Sequence, residues 1–296
     1  MASLATPFCP APLRPTSTAK RRGEPEGGVK IEDRKMTTYS IKAIKYCEQT
    51  VPGPQMFFMS RWEEWVDVDF LFFILRRDDG KVALIDTGIR DVAEIQPLVE
   101  GGVGHRGRFR MDMKTQSVPL LLQKEGIDPA EVEYIFISHL HYDHCSNAKL
   151  FPNAKFVVSR TGWHLTLDPP SPALTPDILF PRDILAYFAG EARDRLILVD
   201  DEAPEIIPGI GAFYVGGHTM CCQAFTVQTK KGLAVFPSDT IFYYENLKKN
   251  HPIGLAVDIK QCYQAMDRVR KIADIVVPPH DPVLLQRFPN GIVVGD

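Results

Sequence analysis

The chain lacks the features that direct a protein to a membrane or to nucleic acid. No segment approaches the ~18 to 20 apolar residues that a bilayer span requires. The strongest apolar run, FLFFIL at residues 70–75, has the length of a strand and is flanked by charged residues. The net charge is −3, so there is no excess of basic residues for nucleic acid or anionic lipid. We therefore expect neither a nucleic acid nor a membrane as a partner.

Cysteine and histidine are also scarce. Six cysteines in 296 residues show no disulfide framework, so we expect reduced thiols and a cytoplasmic protein. There are only 8 histidines, yet three of them fall in HLHYDH, residues 139–144, directly after an apolar run. Such a concentration of a rare residue type predicts a metal site, because imidazole and carboxylate are common metal ligands.

Residues 1–35 differ in composition from the rest of the chain. They are rich in Pro, Ser, Thr and charge, and they lack the apolar periodicity that would let them bury a core. They also lack the apolar stretch of a secretory signal, whereas organelle import and an extension before a start at Met36 both stay open. We expect a disordered tail over residues 1–35 and one folded domain over residues 36–296.

Apolar patterning beyond residue 36 predicts strands mixed with helices. Residues 67–88 predict a hairpin around the turn RDDG, and residues 117–127 and 258–273 predict helices, the second capped by Asp258. Further strands are predicted within residues 132–139, 154–160, 194–200, 211–218, 232–239 and 274–280. This mixture indicates a layered fold of the α/β or α+β class.

Metal-ligand side chains follow four of the predicted strands. Side chains at the ends of neighbouring strands can converge, because the sheet holds the strand backbones rigidly side by side. With the HLHYDH cluster, the candidate metal ligands are His139, His141, Asp143, His144, His218, Asp239 and His280. About that many ligands are needed for two divalent ions if one carboxylate bridges them and open positions hold water. Zn²⁺ suits these ligands, with Mn²⁺, Fe²⁺ and Co²⁺ as alternatives.

The spacing within the cluster divides it in two. Alternate side chains of an extended segment share a face, so His139 and His141 can hold one metal ion. Asp143 and His144 lie past a predicted turn and can reach a second ion. Asp86, in LIDTG, is expected to orient the metal-binding loops rather than to bind metal.

These motifs resemble those of the metallo-β-lactamase superfamily. HLHYDH matches its H-x-H-x-D-H motif, and GGHT at His218, SDT at Asp239 and PPHD at His280 match its later motifs in order. The resemblance implies a four-layer αββα sandwich with two divalent metal ions, zinc in the first instance. It also implies that His139, His141 and His218 hold one ion, that Asp143, His144 and His280 hold the other, and that Asp239 bridges.

Within the superfamily, SDTIFYYENL (238–247) and the ending VVPPHDP are similar to the N-acyl homoserine lactonase-like group. Those lactonases usually carry, three residues after the bridging aspartate, a tyrosine that contacts the lactone carbonyl; here that position is Phe242. Tyr244 is a candidate replacement donor, with a pocket-wall or core role as its alternative. Asp143 and Asp239 are candidates to return a proton. An apolar acyl pocket, or alternatively ordinary core packing, is predicted for Phe57, Phe58, Met59, Trp62 and Trp65.

The resemblance implies a metal-dependent hydrolase that opens a lactone or related ester of a small-molecule substrate. A water between two divalent cations loses a proton near neutral pH and can then attack a carbonyl carbon. The alternatives are hydrolysis of thioesters, β-lactams or phosphodiesters, a diiron redox protein, and a non-catalytic scaffold. The diiron class typically has Glu at the position of His141 and an attached flavodoxin domain, neither of which occurs here. A homodimer is also left open.

Overall fold

Two β-sheets form the centre of this computed structural model, which describes residues 36–295. The disordered tail expected at residues 1–35 lies outside the described residues. The strands are β1 (Tyr39–Pro52), β2 (Trp65–Arg77), β3 (Val82–Ile85), β4 (Val132–Phe136), β5 (Lys155–Ser159), β6 (Leu196–Val199), β7 (Glu202–Ile207), β8 (Ile210–Tyr214), β9 (Gln223–Thr229), β10 (Gly232–Phe236), β11 (Ile275–Val276) and β12 (Ile292–Val294). The first sheet has the order β12-β1-β2-β3-β4-β5-β6 and the second the order β11-β10-β9-β8-β7.

The described residues form ten α-helices, several of which cover the outer faces of the two sheets. They are α1 (Gly53–Met56), α2 (Val92–Val103), α3 (Met113–Gln116), α4 (Val118–Lys124), α5 (Tyr142–Cys145), α6 (Arg160–Leu167), α7 (Arg182–Ala189), α8 (Tyr244–Lys249), α9 (Ile259–Ile272) and α10 (Pro282–Arg287). Helix α9 packs Met266 and Val269 against the second sheet, while Leu122 of α4 and Phe188 of α7 belong to the core on the outer face of the first sheet. None of the helices in residues 36–295 combines the length and the apolarity that a bilayer span needs.

A third core lies between the sheets. The Phe73 and Phe236 rings, one from each sheet, have centroids 4.9 Å apart, and those of Phe136 and Phe225 are 5.3 Å apart. Helix, sheet, sheet and helix therefore form the predicted four-layer αββα sandwich, in which both sheets are covered on both faces.

The apolar run at residues 70–75 forms the middle of β2. Phe70, Phe72 and Ile74 face the helices, whereas Leu71 and Phe73 face the second sheet. A strand buried on both faces is expected to be continuously apolar rather than alternating. The predicted hairpin is also confirmed, because β2 and β3 pair antiparallel with Phe73 opposite Ile85.

The helix predicted at residues 258–273 is α9. The Asp258 carboxylate accepts a hydrogen bond from the backbone N–H of Gln261 at 3.1 Å, which satisfies a donor left free at the helix start. Strand β11 follows this helix and pairs parallel to β10, so the loops after both strands leave the sheet at the same edge. These two loops carry Asp239 and His280 to one place.

Candidate metal centre

The candidate ligands that follow the four predicted strands all lie at one site. His139 follows β4 of the first sheet, whereas His218, Asp239 and His280 follow β8, β10 and β11 of the second. The seven side chains form two groups, within each of which the ligand atoms lie within 4.8 Å of one another. The groups are His139, His141 and His218, and Asp143, His144, Asp239 and His280. The site therefore lies across the junction of the two sheets.

Asp239 lies between the two groups. Its Oδ2 is 3.6 Å from His218 Nε2 and 3.7 Å from His139 Nε2 in the first group. In the second group it is 3.4 Å from His144 Nε2 and 3.2 Å from His280 Nε2. A carboxylate in this position can contribute to both groups at once.

Several buried polar atoms of the site have no hydrogen-bond partner among the described residues. They include His139 Nε2, His144 Nε2 and Asp239 Oδ1. Buried polar atoms are nearly always satisfied, so each exception requires an explanation. Imidazole and carboxylate lone pairs directed at one space suit a divalent cation, and two such sets fit two divalent ions.

The far nitrogens of three histidines are held by other parts of the chain. His144 Nδ1 lies 2.8 Å from a carboxylate oxygen of Asp86. His280 Nδ1 lies 2.9 Å from the Asp69 carbonyl oxygen, and His218 Nδ1 lies 2.5 Å from that of Leu255. Contacts of this kind fix the orientation of each ring and leave Nε2 directed into the site.

Asp86 also holds the loop that begins the HLHYDH cluster. Its two oxygens accept hydrogen bonds from the Ser138 backbone N–H at 2.7 Å and from the Ser138 hydroxyl at 2.8 Å. Asp86 belongs to neither ligand group, in agreement with its predicted orienting role. Its φ of +61° lies in the left-handed region, which is unusual outside glycine and typical of residues held by a functional site.

The loop before His218 requires glycine. Gly217 has a φ of +76°, and a Cβ there would lie 2.9 Å from both Cys262 Sγ and Thr240 Cγ2. Its backbone N–H donates to the Gln261 side chain at 2.8 Å. The motif GGHT thus brings His218 close to helix α9.

The histidines of the first group are neutral at physiological pH. Burial lowers the pKa of His139 well below its usual range. Burial, reinforced by His218, lowers the pKa of His141 to about 3, and burial also lowers the pKa of His218. Neutral imidazole is the form that binds metal.

The second group is different, because it contains the carboxylates. Burial opposes a positive charge on His144, but Asp143 and Asp239 outweigh it and raise the pKa of His144 well above its usual range. Asp239 likewise raises the pKa of His280 against the effect of burial. The carboxylates thus stabilise positive charge at this group. A bound divalent cation would supply that charge in place of the protons that the imidazoles release.

A cavity of about 330 Å³ opens onto the site. His141, Asp143, His218, Asp239 and His280 contribute to its floor. Most of its wall is apolar and includes Val51, Met56, Phe70, Ile95, Leu98 and Val99. The Phe242 ring lies 5.5 Å from that of His218 and 5.3 Å from that of His280. We call this space the metal-side cavity; it can enclose an apolar group next to the two ligand groups.

The aromatic segment that was predicted to line an acyl pocket lies outside the metal-side cavity. Of Phe57, Phe58, Met59, Trp62 and Trp65, none lines the metal-side cavity. Phe57 is buried and stacks on Tyr243 at 5.6 Å, while Met59 and Trp62 are 66% and 67% exposed.

Helix α2 supplies much of the apolar wall instead. Its residues Ile95, Leu98 and Val99 have the i, i+3, i+4 spacing of an apolar helix face. That spacing is a signal in the sequence for a buried face of α2, although it does not identify the cavity that this face lines.

Tyr244 also lies outside the metal-side cavity. It lines a separate open cavity, and the Arg287 guanidinium lies 3.8 Å above its ring. Tyr243 lines the same separate cavity, and its hydroxyl donates to the Asp67 carbonyl oxygen at 2.7 Å. This placement does not support the predicted hydrogen bond from Tyr244 to substrate. It corresponds to the alternative role of an aromatic in a different wall.

Two known proteins are similar to this chain, one in sequence and one in fold. The N-acyl homoserine lactonase AiiA of Bacillus thuringiensis subsp. kurstaki is 23% identical over 202 residues, which are 68% of this chain and 74% of that protein. The structure of an N-acyl homoserine lactone hydrolase with N-hexanoyl-L-homoserine at its catalytic metal center has a TM-score of 0.69 and 20% identity. The match covers 86% of this chain and 99% of that one.

A third similarity is to AidC, a dizinc quorum-quenching lactonase, with a TM-score of 0.60 and 16% identity over 86% of this chain and 90% of that one. Residues 71–280 match the family model of the metallo-beta-lactamase superfamily. That range contains all seven ligand candidates and extends from β2 to the loop after β11. By this match and the sandwich fold, the chain belongs to the metallo-beta-lactamase superfamily.

Proposed function

We propose that this protein is a dinuclear, zinc-dependent hydrolase that opens the ring of an N-acyl homoserine lactone or a closely related ester. One observation carries the proposal: Asp239 lies within 3.7 Å of imidazole nitrogens from both ligand groups, beside an apolar cavity. The relatives named as lactonases support the substrate class.

In this proposal, His139, His141 and His218 hold one ion, and Asp143, His144 and His280 hold the other. Asp239 contributes to both. When bound, two divalent ions supply Lewis acidity to a carbonyl oxygen and lower the pKa of a water molecule.

The two aspartates of the site are the proposed proton carriers. Both contribute to the metal-side cavity, and the Asp143 side chain is the more exposed, 15% against 5% for Asp239. Burial opposes ionisation of Asp143, but in the metal-free chain the positive charge of His144 lowers its pKa, and bound cations would likewise keep it a carboxylate. Asp143 is the better placed to pass a proton to the alkoxide oxygen that leaves when the ring opens.

The cavity wall favours an apolar acyl compound over an anionic one. Within residues 36–295, no Lys or Arg lines the metal-side cavity. A phosphodiester would find positive charge only at the two ions, whereas an acyl chain finds apolar contact along most of the wall. Lactones are therefore preferred over phosphodiesters, the alternative that requires the most charge.

The test is a substrate panel with protein loaded with zinc. Acyl homoserine lactones, thioesters, β-lactams and phosphodiesters are supplied at equal concentration, and kcat/KM is measured for each. We expect the lactones to be the best substrates. Faster hydrolysis of another class would overturn the lactonase assignment, and activity that survives complete metal removal would overturn the metallohydrolase assignment.

Three further expectations accompany this proposal. We propose residues 36–296 as the catalytic domain and the cytoplasm as the site of action, where quorum-sensing lactones would be degraded. Five free cysteines among the described residues are compatible with a reducing compartment. A homodimer stays a prediction, which sedimentation analysis would test.

A further inference from the structure

Among residues 36–295, the metal-side cavity has two neutral polar side chains in its wall, Gln49 and Gln55. The amide nitrogen of Gln49 donates to the Gly107 carbonyl oxygen at 2.6 Å and is therefore already engaged. Gln55 is half-buried, and its side-chain amide has no hydrogen-bond partner among the described residues. Gln55 is thus the side-chain donor of this wall that is free to contact a bound molecule.

Gln55 is connected to the metal centre by a short series of hydrogen bonds. Its carbonyl oxygen accepts from the backbone N–H groups of Gly254 and Leu255, at 3.0 and 2.9 Å. The Leu255 carbonyl oxygen in turn lies 2.5 Å from Nδ1 of His218. The backbone of Gln55 therefore has a fixed position relative to a ligand candidate of the first group.

The segment around Gln55 is held from two further sides. The Gly53 N–H donates to the Glu64 carbonyl oxygen at 2.8 Å, and the Asn246 side chain donates to the Met56 carbonyl oxygen at 3.1 Å. These contacts leave the Gln55 side chain as the adjustable part of a rigid segment, an arrangement suited to recognition.

The aromatic residues next to the site offer no competing donor. Phe242 has none, the Tyr243 hydroxyl is bonded to Asp67, and Tyr244 lines the other cavity. A glutamine amide carries both a donor and an acceptor. An alkyl lactone offers only its ring ester as acceptor, whereas an N-acyl lactone adds an exocyclic amide carbonyl that can accept from this donor.

We propose that Gln55 is a specificity-determining residue that pairs with the exocyclic amide of an N-acyl lactone. In this pairing its Nε2 donates to the acyl carbonyl oxygen, because the N–H of a trans secondary amide points the opposite way and cannot reach the same glutamine. This inference rests on the proposed lactonase function and deepens it, because it makes the enzyme selective for N-acyl lactones over alkyl lactones of equal size. The scissile ester carbonyl is left to the metal centre.

The experiment compares two variants on two substrates. Gln55→Met keeps the length of the side chain but removes the amide, and Gln55→Glu keeps its shape but removes the donor. The substrates are N-hexanoyl homoserine lactone and a γ-lactone with an alkyl chain of equal length and no amide. Gln123→Met, on the exposed face of α4, is the matched control.

We expect Gln55→Met to lose about 3- to 10-fold in kcat/KM on the N-acyl lactone, the effect of one neutral hydrogen bond. Gln55→Glu should lose at least as much, because its negative charge faces the acyl carbonyl oxygen as well. The loss should appear mainly in KM, with the alkyl lactone and the metal content unchanged. Calorimetry with the ring-opened product, N-hexanoyl homoserine, should give the same factor in Kd.

Two results would overturn the assignment. Equal losses on both lactones would indicate a structural role or a contact with the scissile ester, and wild-type selectivity in both variants would exclude the contact. If the metal-loaded wild type hydrolysed neither lactone, the proposed function itself would fail, and this inference with it.

Discussion

Asp86 and His144, 58 positions apart in the chain, are joined by a contact of 2.8 Å between a carboxylate oxygen and Nδ1. The same carboxylate holds Ser138, the residue before His139. Asp86→Asn should lower metal affinity about 10- to 100-fold, because the amide disturbs both the ring orientation and the loop. Competition with a chromophoric chelator measures this loss. Asp177→Asn, at an 80% exposed side chain, is the control, and equal affinity of both variants would exclude the orienting role.

Asp239→Asn should change the metal content. Wild-type protein purified without chelator should approach two divalent ions per chain, and the variant should lose most of one, because a charge shared by both groups is removed. Elemental analysis gives the ratio. His105→Asn removes a 75% exposed histidine outside both groups and should retain the wild-type content. Full occupancy in Asp239→Asn would rule out a bridging carboxylate.

Tyr243→Phe and Tyr244→Phe should leave kcat nearly unchanged on the best ester substrate. Loss of a donor to a developing oxyanion costs about 10²- to 10³-fold, and neither tyrosine lines the cavity where that oxyanion would form. Tyr243→Phe should lower the free energy of unfolding by about 1 kcal/mol, because the Asp67 carbonyl oxygen loses its partner. A large drop in kcat in either variant, with normal metal content, would show that a phenol reaches the substrate.

The apolar wall predicts a dependence on acyl-chain length. Each methylene buried in the cavity is worth about 0.8 kcal/mol, so kcat/KM should rise up to about fourfold per methylene until the cavity is full. Val99→Trp should shift the optimum to shorter chains because the larger ring occupies that space. Leu167→Trp, at a half-exposed position on α6, is the size-matched control. A series with no dependence on length would place the acyl chain outside this cavity.

The buried thiols predict a loss of stability at alkaline pH. Burial raises the pKa of Cys47 to about 12, and it also raises the pKa of Cys145, Cys221, Cys222 and Cys262. A thiol whose pKa is raised by folding contributes its full stability below the unfolded value of about 8.5 and loses it as pH rises toward the folded value. Between these two pKa values, each thiol should therefore lower the free energy of unfolding by up to about 1.4 kcal/mol per pH unit.

Urea denaturation between pH 7 and 10 measures this slope. Cys47→Ala removes one buried thiol. The free energy of unfolding should then fall less steeply with pH, by the contribution of that thiol, even if the variant is less stable than the wild type at pH 7. An identical slope in variant and wild type would mean that Cys47 ionises as readily in the folded chain as in the unfolded one.

The convergence of the candidate ligands was predictable because its signal is local. Each candidate follows an apolar run, and a strand that ends at a sheet edge carries the next few residues to that edge with little freedom. Four predicted strands that end near one another were enough to predict that His139, His218, Asp239 and His280 lie together.

The lining of the metal-side cavity and the positions of Tyr243 and Tyr244 depend on contacts between segments that are remote in the sequence. Helix α2 lines the cavity together with residues of β1 and β2 that lie far from it in the chain, so its apolar spacing predicts a buried face but not the partner of that face. Helix α8 begins at Tyr244, and its N–H donates to the Asp281 carboxylate at 2.8 Å. That contact, between residues remote in sequence, holds Tyr244 at the other cavity. Its position two residues after Phe242 had instead suggested that it lies beside the metal centre.

The placement of the ligands across both sheets has a consequence for how the protein matures. During translation, HLHYDH is made first, but the first group lacks a member until residue 218 has been made, and the second until residue 280. The first group is therefore complete in the chain before the second. Each group draws its members from both sheets, so neither group is assembled until the two sheets have closed on each other.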